Sequence, residues 1–162
     1  MIVFTEEIME PLFWVLEENK GIEQHKLYHP EGDVFTHSLQ SGYIAFRETI
    51  DTDLILAALL HDVGKACNKL GHDKISVELL NCHCSPKTLW LIANHMRIWY
   101  FLSGDMHKLS KVKELVEHPW LPELIHLARI DKAARNPNRR IKYNKQDIID
   151  RLNKCVEKRF NA

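Results

Sequence analysis

The most restrictive feature of this sequence is an unbroken apolar run, Leu54 to Leu60, that leads directly into the pair His61-Asp62. A helix that is apolar on every side is buried, so other helices must surround this one. The run is too short to cross a membrane. Asp51 or Thr52 is placed to cap its start, and Gly64 is placed to end it. The sequence therefore predicts a central buried helix that carries an imidazole and a carboxylate into the interior.

Short turns divide the rest of the sequence into further helices, and no run alternates polar and apolar residues as a strand would. These helices follow caps at Thr5, Asp33, Ser85-Pro86 and Asn144, or span about Asp73 to Cys82, Ser110 to Pro119 and Trp120 to Arg135. The aromatic stretch from Ile98 to Leu102 is interpreted as core. The prediction is an all-α, single-domain bundle of about seven or eight helices. It covers residues 1–162, with a motif-bearing core at about 25–136 and a C-terminal helix at about 144–160.

The charge balance and the cysteines narrow the classes of function. Lys plus Arg and Asp plus Glu both number 22, so the net charge is zero, which argues against a protein that coats nucleic acid. No secretory signal or membrane span is visible, so we expect a cytoplasmic protein without a membrane partner. The segment Cys82-His83-Cys84 is too tightly spaced for a zinc knuckle, and we expect reduced thiols. The 10 histidines direct the search for chemistry to imidazoles.

Taken alone, the pair His61-Asp62 is more typical of a capped helix end than of a functional site, but three further features favour a metal centre. His37 lies on a separate predicted helix, and Asp131 lies on the inward face of another apolar helix. Cationic side chains adjoin these acids, as an anionic substrate requires: Lys65, Lys132 and Arg135. A divalent cation would offset the cost of burying the carboxylates. Two imidazoles and two carboxylates leave positions on a six-coordinate ion open for water and a phosphate oxygen.

In this order, His37, His61-Asp62 and Asp131 resemble the H…HD…D signature of the HD-domain metal-dependent phosphohydrolases. The segment Leu59 to Lys65, LLHDVGK, matches the usual LLHDxGK run of that family. The stretch from His29 to Leu39 is similar to the HD domain of some bacterial tRNA nucleotidyltransferases. No nucleotidyltransferase head precedes it, so CCA-adding activity is not expected. The resemblance spans about residues 25–136 and implies an all-helical phosphatase or phosphodiesterase that often acts on nucleotides.

The resemblance also implies roles for individual residues. The four matching positions would hold one divalent metal ion: His37, His61, Asp62 and Asp131. His72 and His95 would hold a second ion or bind substrate phosphate. Asp62 could also orient or deprotonate water. Lys65 would lie near the phosphate, with a solvated surface lysine as the alternative.

Substrate contacts are expected from Arg97, Lys132 and Arg135. The basic stretch 135–142 could attract RNA or a nucleotide tail, although a solvated loop is commoner. The ion could be Mn, Fe, Co, Ni, Zn or Mg, with one ion expected and two as the alternative.

The expected function is hydrolysis of a nucleotide or a related small phosphoester. The alternatives are a nucleoside triphosphohydrolase and an HD module that binds a metal or nucleotide without turnover. The oligomeric state is left open.

Overall fold

The structure, a computed structural model, describes residues 2–162, and its regular secondary structure over that range is entirely helical. Nine α-helices and one 3-10 helix occur in this range. They are α1 (Glu6–Glu17), α2 (Val34–Glu48), α3 (Thr52–Leu60), the 3-10 helix (Val63–Ala66), α4 (His72–Leu80), α5 (Pro86–Asn94), α6 (Arg97–Leu102), α7 (Leu109–Val116), α8 (Leu121–Ala133) and α9 (Lys145–Phe160). The prediction of an all-α fold is confirmed. None of these helices is both long enough and apolar enough to cross a membrane.

Capping side chains start the helices where the sequence places them. Asp33 Oδ1 accepts the backbone N–H of Thr36 at 2.7 Å, which satisfies a free donor of the first turn of α2. The other oxygen of Asp33 accepts the N–H of Gly21 at 2.7 Å, so one carboxylate also holds the loop between α1 and α2. Four further caps use the same geometry: Thr5, Asp51, Ser85 and Asn144.

Helix α3 forms the centre of the core, as its apolar run predicts. Every residue from Leu54 to Leu60 is buried, and α2, α5 and α8 pack around the helix. Burial of each large aliphatic side chain contributes about 1.5–3 kcal/mol relative to exposure. The His61-Asp62 pair is thereby carried to the middle of the bundle, and both residues are buried.

The stretch after His95 agrees in part with the interpretation as core. It forms the short helix α6, in which only Ile98 is buried and Tyr100 is 58% exposed. A helix repeats every 3.6 residues, so a run of adjacent aromatic side chains cannot all face one core. Trp99 and Phe101 are partly buried and pack against the core, and Trp99 also lines a cavity. The four cysteines are free thiols.

Gly64 allows the turn after His61-Asp62 to pack directly against α4. A Cβ at this position would clash with the carbonyl oxygen of His72 and lie 2.7 Å from the backbone nitrogen of Ser76. The N–H of Gly64 donates to the Ser76 hydroxyl at 2.8 Å, and that hydroxyl donates to the carbonyl of His61 at 3.1 Å. The glycine is therefore required by close backbone approach.

Replacement Gly64→Ala is expected to lower the free energy of unfolding by about 1–3 kcal/mol or more, because backbone atoms cannot move aside cheaply. The matched control is Gly42→Ala in α2, where a Cβ would meet the terminal Cδ1 of Leu59 at 2.8 Å. That atom can rotate away, and alanine favours the helix, so the control should change stability by less than about 1 kcal/mol. Urea unfolding measures both; equal losses would contradict the expectation.

A second prediction concerns Tyr43, which joins α2 to α9 by donating its hydroxyl proton to Asp147 Oδ2 at 2.6 Å. Burial and this carboxylate raise the pKa of Tyr43 from 10.0 to about 12. The neutral hydroxyl thus contributes stability that is complete below pH 10.0 and is lost as the pH rises toward about 12. We expect the free energy of unfolding of the wild type to exceed that of Tyr43→Phe by about 1 kcal/mol at neutral pH. Urea unfolding should show this difference shrinking above pH 10.0; a constant difference would rule the linkage out.

Candidate metal centre

Three helices bring two imidazoles and two carboxylates together in the interior. His37 comes from α2, His61 and Asp62 from the end of α3, and Asp131 from α8, and all four are buried. His37 Nε2 lies 2.9 Å from Asp131 Oδ1, and His61 Nε2 lies 3.7 Å from the same oxygen. His61 Nε2 is also 3.5 Å from Asp62 Oδ2. The four side chains therefore lie within reach of one small cation.

The outer nitrogen of each ring is held by a backbone carbonyl. His37 Nδ1 lies 2.8 Å from the oxygen of Ala134, and His61 Nδ1 lies 2.9 Å from that of Ala58. Each Nδ1 therefore carries a proton, which leaves Nε2, on the side of the carboxylates, as the ring nitrogen that can bind a cation. Within residues 2–162, both Nε2 atoms are buried and lack a hydrogen-bond partner. Orphaned ring nitrogens beside ionised carboxylates fit a divalent cation.

Electrostatics favour the same occupant. Burial raises the pKa values of Asp62 and Asp131, but the surrounding histidines, and Lys65 beside Asp62, outweigh it and hold both well below their usual range. Burial lowers the pKa of His37, but Asp131 and Glu31 outweigh it and raise this pKa to about 10. Without a metal ion, the carboxylates are therefore neutralised by a proton on a ring. A cation would replace that proton, because a ligating imidazole must be neutral.

Asp62 faces two groups of side chains, one on each carboxylate oxygen. Its Oδ1 lies 3.0 Å from His72 Nε2 and 3.4 Å from His95 Nε2. These two Nε2 atoms are 3.1 Å apart. Their Nδ1 atoms contact the carbonyls of Lys69 and Ile92 at 2.9 and 2.6 Å. The arrangement gives His72 and His95 the donors for a second ion or for a phosphate oxygen.

Lys65 contacts the other oxygen of Asp62. Its Nζ lies 2.8 Å from Asp62 Oδ2 and 2.8 Å from Gln24 Oε1. The ammonium is thus anchored beside the carboxylate cluster, which favours the phosphate-proximal placement over the solvated alternative.

A cavity of about 640 Å³ opens over the cluster. Its wall combines the acidic and histidine centre with four cations and with apolar rings. The lining residues are Gln24, His25, Tyr28, His29, Asp62, Lys65, Lys69, His72, His95, Met96, Trp99, Asp131, Lys132 and Arg135. Lys132 and Arg135, from which substrate contacts are expected, line this cavity, and Lys69 lines it too although it was not predicted.

Arg97, from which a substrate contact is expected, is not among the described residues that line this cavity. Its guanidinium donates to the carbonyl of Lys111 at 2.9 Å and pairs with Glu114 at 3.3 Å, outside the cavity wall. Arg135 does lie in the wall, but one of its nitrogens donates to the carbonyl of Tyr28 at 3.1 Å and another is 3.6 Å from Asp131. Arg135 therefore fastens the loop before α2 to the end of α8.

Sequence reasoning missed Glu31, a buried carboxylate in the loop before α2. Its Oε1 lies 2.8 Å from His37 Nδ1 and 2.9 Å from His29 Nδ1. Burial raises the pKa of Glu31, but the two histidines outweigh it and lower this pKa to about 2. The only available signal was its position inside the His29–Leu39 stretch that carries the family resemblance.

Comparison with known proteins assigns the chain to a family. The sequence profile described as "HD domain" matches residues 34–136, which is well over half of the chain. The chain belongs to the HD domain family. This membership agrees with the resemblance carried by the His and Asp residues of the cluster.

Two relatives of this HD domain protein are each described as a "Multifunctional CCA protein". The relative from Thioalkalivibrio sulfidiphilus (strain HL-EbGR7) is 35% identical over 80 residues, which is 45% of this chain and 20% of the relative. The relative from Methylococcus capsulatus (strain ATCC 33009 / NCIMB 11132 / Bath) is 34% identical over 83 residues, which is 47% of this chain and 20% of the relative. The match thus spans about a fifth of each relative's length.

Divalent metal is expected to stabilise the metal-free protein, because the ion binds a site that only the folded chain forms. Mn²⁺ at about 100-fold above its Kd should raise the free energy of unfolding by about 2.7 kcal/mol. Asp131→Asn should lose most of this increment. The exposed Asp150→Asn, whose carboxylate contacts Gln146 on the same helix, should retain it. Urea unfolding with and without metal provides the test, and an increment that survives Asp131→Asn would contradict the assignment.

Proposed function

We propose that this HD domain protein is a divalent-metal-dependent phosphohydrolase that acts on a nucleotide or a related small phosphoester. One observation carries the proposal: the His-Asp cluster, with its orphaned Nε2 atoms, adjoins a cavity whose wall contains Asp62, Asp131 and four cations. His37, His61, Asp62 and Asp131 would hold the ion, and His72 and His95 would hold a second ion or a phosphate oxygen. When bound, the ion lowers the pKa of a water molecule and neutralises charge on the phosphoryl group.

The side chains around the ion divide the remaining work. Asp62 orients the attacking water and accepts its proton, since its oxygens lie between His61, Lys65 and the His72–His95 pair. Lys65 places a positive charge beside the phosphoryl oxygens, where charge builds up as the water attacks. The proposed reaction is in-line displacement at phosphorus by water.

The cavity supports a substrate of nucleotide size. Its volume of about 640 Å³ lies in the usual range for small-molecule sites. Tyr28 and Trp99 place aromatic side chains in the wall against which a base could pack, and Lys69 and Lys132 offer charge to phosphates. The description of the relatives as CCA proteins supports nucleotide-like chemistry. Because the match covers about a fifth of those proteins, their whole activity is not transferred.

Nucleoside triphosphate hydrolysis is the second candidate. The four cations of the cavity wall favour it, because three phosphates carry more charge than one: Lys65, Lys69, Lys132 and Arg135. A substrate panel separates it from the first candidate.

We further propose that residues 1–162 act as one HD domain in the cytoplasm. The described helices share one apolar core, and α9 packs against α1 and α3. The four free cysteines are in keeping with a reducing compartment.

The test is hydrolysis of bis-p-nitrophenyl phosphate and of nucleoside mono-, tri- and cyclic phosphates with Mn²⁺, Co²⁺, Ni²⁺ or Mg²⁺. We expect turnover with at least one metal and a fall of at least about 100-fold in Asp62→Asn, because that change removes both a ligand and the proton acceptor. Asp150→Asn should keep wild-type activity.

Binding of a nucleotide without turnover would contradict the proposal. If the folded, metal-loaded protein binds a nucleotide by calorimetry but forms no product, it is a binding module and the enzymatic proposal fails. Elemental analysis of the same samples shows whether metal loading accounts for the result.

A further inference from the structure

Glu31 links the metal centre to a histidine that the proposed function does not use. Its side chain is fully buried, although it comes from a loop. One oxygen contacts Nδ1 of both His29 and His37, and the other oxygen is buried without a hydrogen-bond partner. Burial of an ionised carboxylate is costly unless the group is paired. Glu31 is therefore held here by its contacts with the two histidines, and it is not a solvated loop residue. Two imidazoles are thereby oriented by one group.

His29 is held firmly at the cavity wall. Its N–H donates to the carbonyl of His25 at 2.9 Å, and Arg135 fastens the carbonyl of the preceding Tyr28. The His29 side chain is 14% exposed and lines the cavity. Since Nδ1 is engaged by Glu31, Nε2 is the ring nitrogen left for a ligand. The ring centre lies 5.1 Å from that of His37, next to the metal centre.

The other cavity histidines are arranged differently. His72 and His95 direct Nε2 at Asp62. His25 accepts the N–H of Leu27 on its Nδ1 at 3.2 Å. Of the four histidines that line this cavity, His29 is thus the one with a carboxylate on Nδ1 and a free Nε2. An imidazole with this pairing transfers protons efficiently.

We propose that His29 is a catalytic residue that donates the Nε2 proton to the oxygen leaving phosphorus, and that Glu31 is its positioning residue. The inference deepens the proposed phosphohydrolase function and rests on it. Water supplies the new P–O bond, and its proton passes to Asp62. The bond from phosphorus to the leaving oxygen breaks, its electron pair stays on that oxygen, and the proton of His29 neutralises it. His29 is left neutral and is reprotonated from solvent through the cavity, and Asp62 releases the proton of the water to solvent.

Leaving-group dependence tests this role directly. Nitrophenolate departs without a proton, whereas phenolate benefits from one, so p-nitrophenyl phosphate and phenyl phosphate form a matched pair. We expect His29→Asn and His29→Gln to lower kcat for phenyl phosphate by about 100-fold or more and to change p-nitrophenyl phosphate hydrolysis by only a few-fold. Glu31→Gln should lower the ratio of kcat for phenyl phosphate to kcat for p-nitrophenyl phosphate in the same direction, by a smaller factor. His126→Asn, which removes a histidine paired with Glu48 outside the cavity wall, should leave the ratio unchanged.

Two readouts besides activity accompany the kinetics. Elemental analysis should show wild-type metal content in both His29 variants, because His29 is not a ligand of the proposed centre. The imidazole ¹⁵N spectrum of the metal-free protein should show a hydrogen-bonded Nδ1 proton for His29, weakened in Glu31→Gln. A spectrum without this proton would show that Glu31 does not hold His29, and it would contradict the positioning role of Glu31.

The outcomes separate the two proposals. If wild type hydrolyses neither these esters nor any nucleotide of the panel with any metal, the proposed function fails and the inference fails with it. If wild type hydrolyses only nucleotides, His29 variants that keep this activity overturn the inference, because the alkoxide that leaves a nucleotide needs a proton. If wild type is active but the His29 variants lose both esters equally, or lose neither, the inference is overturned and the proposed function stands.

Discussion

Two ionised carboxylates in the interior are the constraint on which this structure depends. Asp62 and Asp131 are only 3% and 7% exposed, in a region where an unpaired charge would be strongly destabilising. Histidines from α2, α3, α4 and α5 surround them, so most of the bundle is organised around the same charges. The hydrophobic core encloses this centre, and the centre explains why polar groups occur so deep in a small protein.

The rings around the acids are oriented by backbone carbonyls in two ways. His61, His72 and His95 each bond the carbonyl three residues earlier, so their orientation is set by local turn geometry. His37 instead contacts the Ala134 carbonyl, 97 residues away, and the buried carboxylate of Glu31 in the loop before α2. Three rings can therefore be aligned as soon as their own turns form, whereas the contact of the fourth with Ala134 requires the tertiary fold.

The same distinction explains what could be predicted from the sequence. The caps and the buried α3 are local properties, and they agree with the structure. The convergence of His37, His61, Asp62 and Asp131 was predicted because apolar helices with inward polar residues must bury them together. Arg97 does not share the direction of His95 although it lies only two residues later, because His95 ends α5 and Arg97 begins α6. Glu31 was missed because a loop has no periodicity from which burial can be inferred.

Helix α8 contributes to the metal centre in two ways. It carries Asp131, and one turn later its end presents the Ala134 carbonyl that holds His37. Displacing α8 would therefore disturb an acid and a ring together, so seating of this helix and filling of the centre are thermodynamically coupled. An ion bound there would hold α8 against α2, together with the segment fastened by Arg135. Occupancy at one point would in this way stiffen a whole side of the bundle.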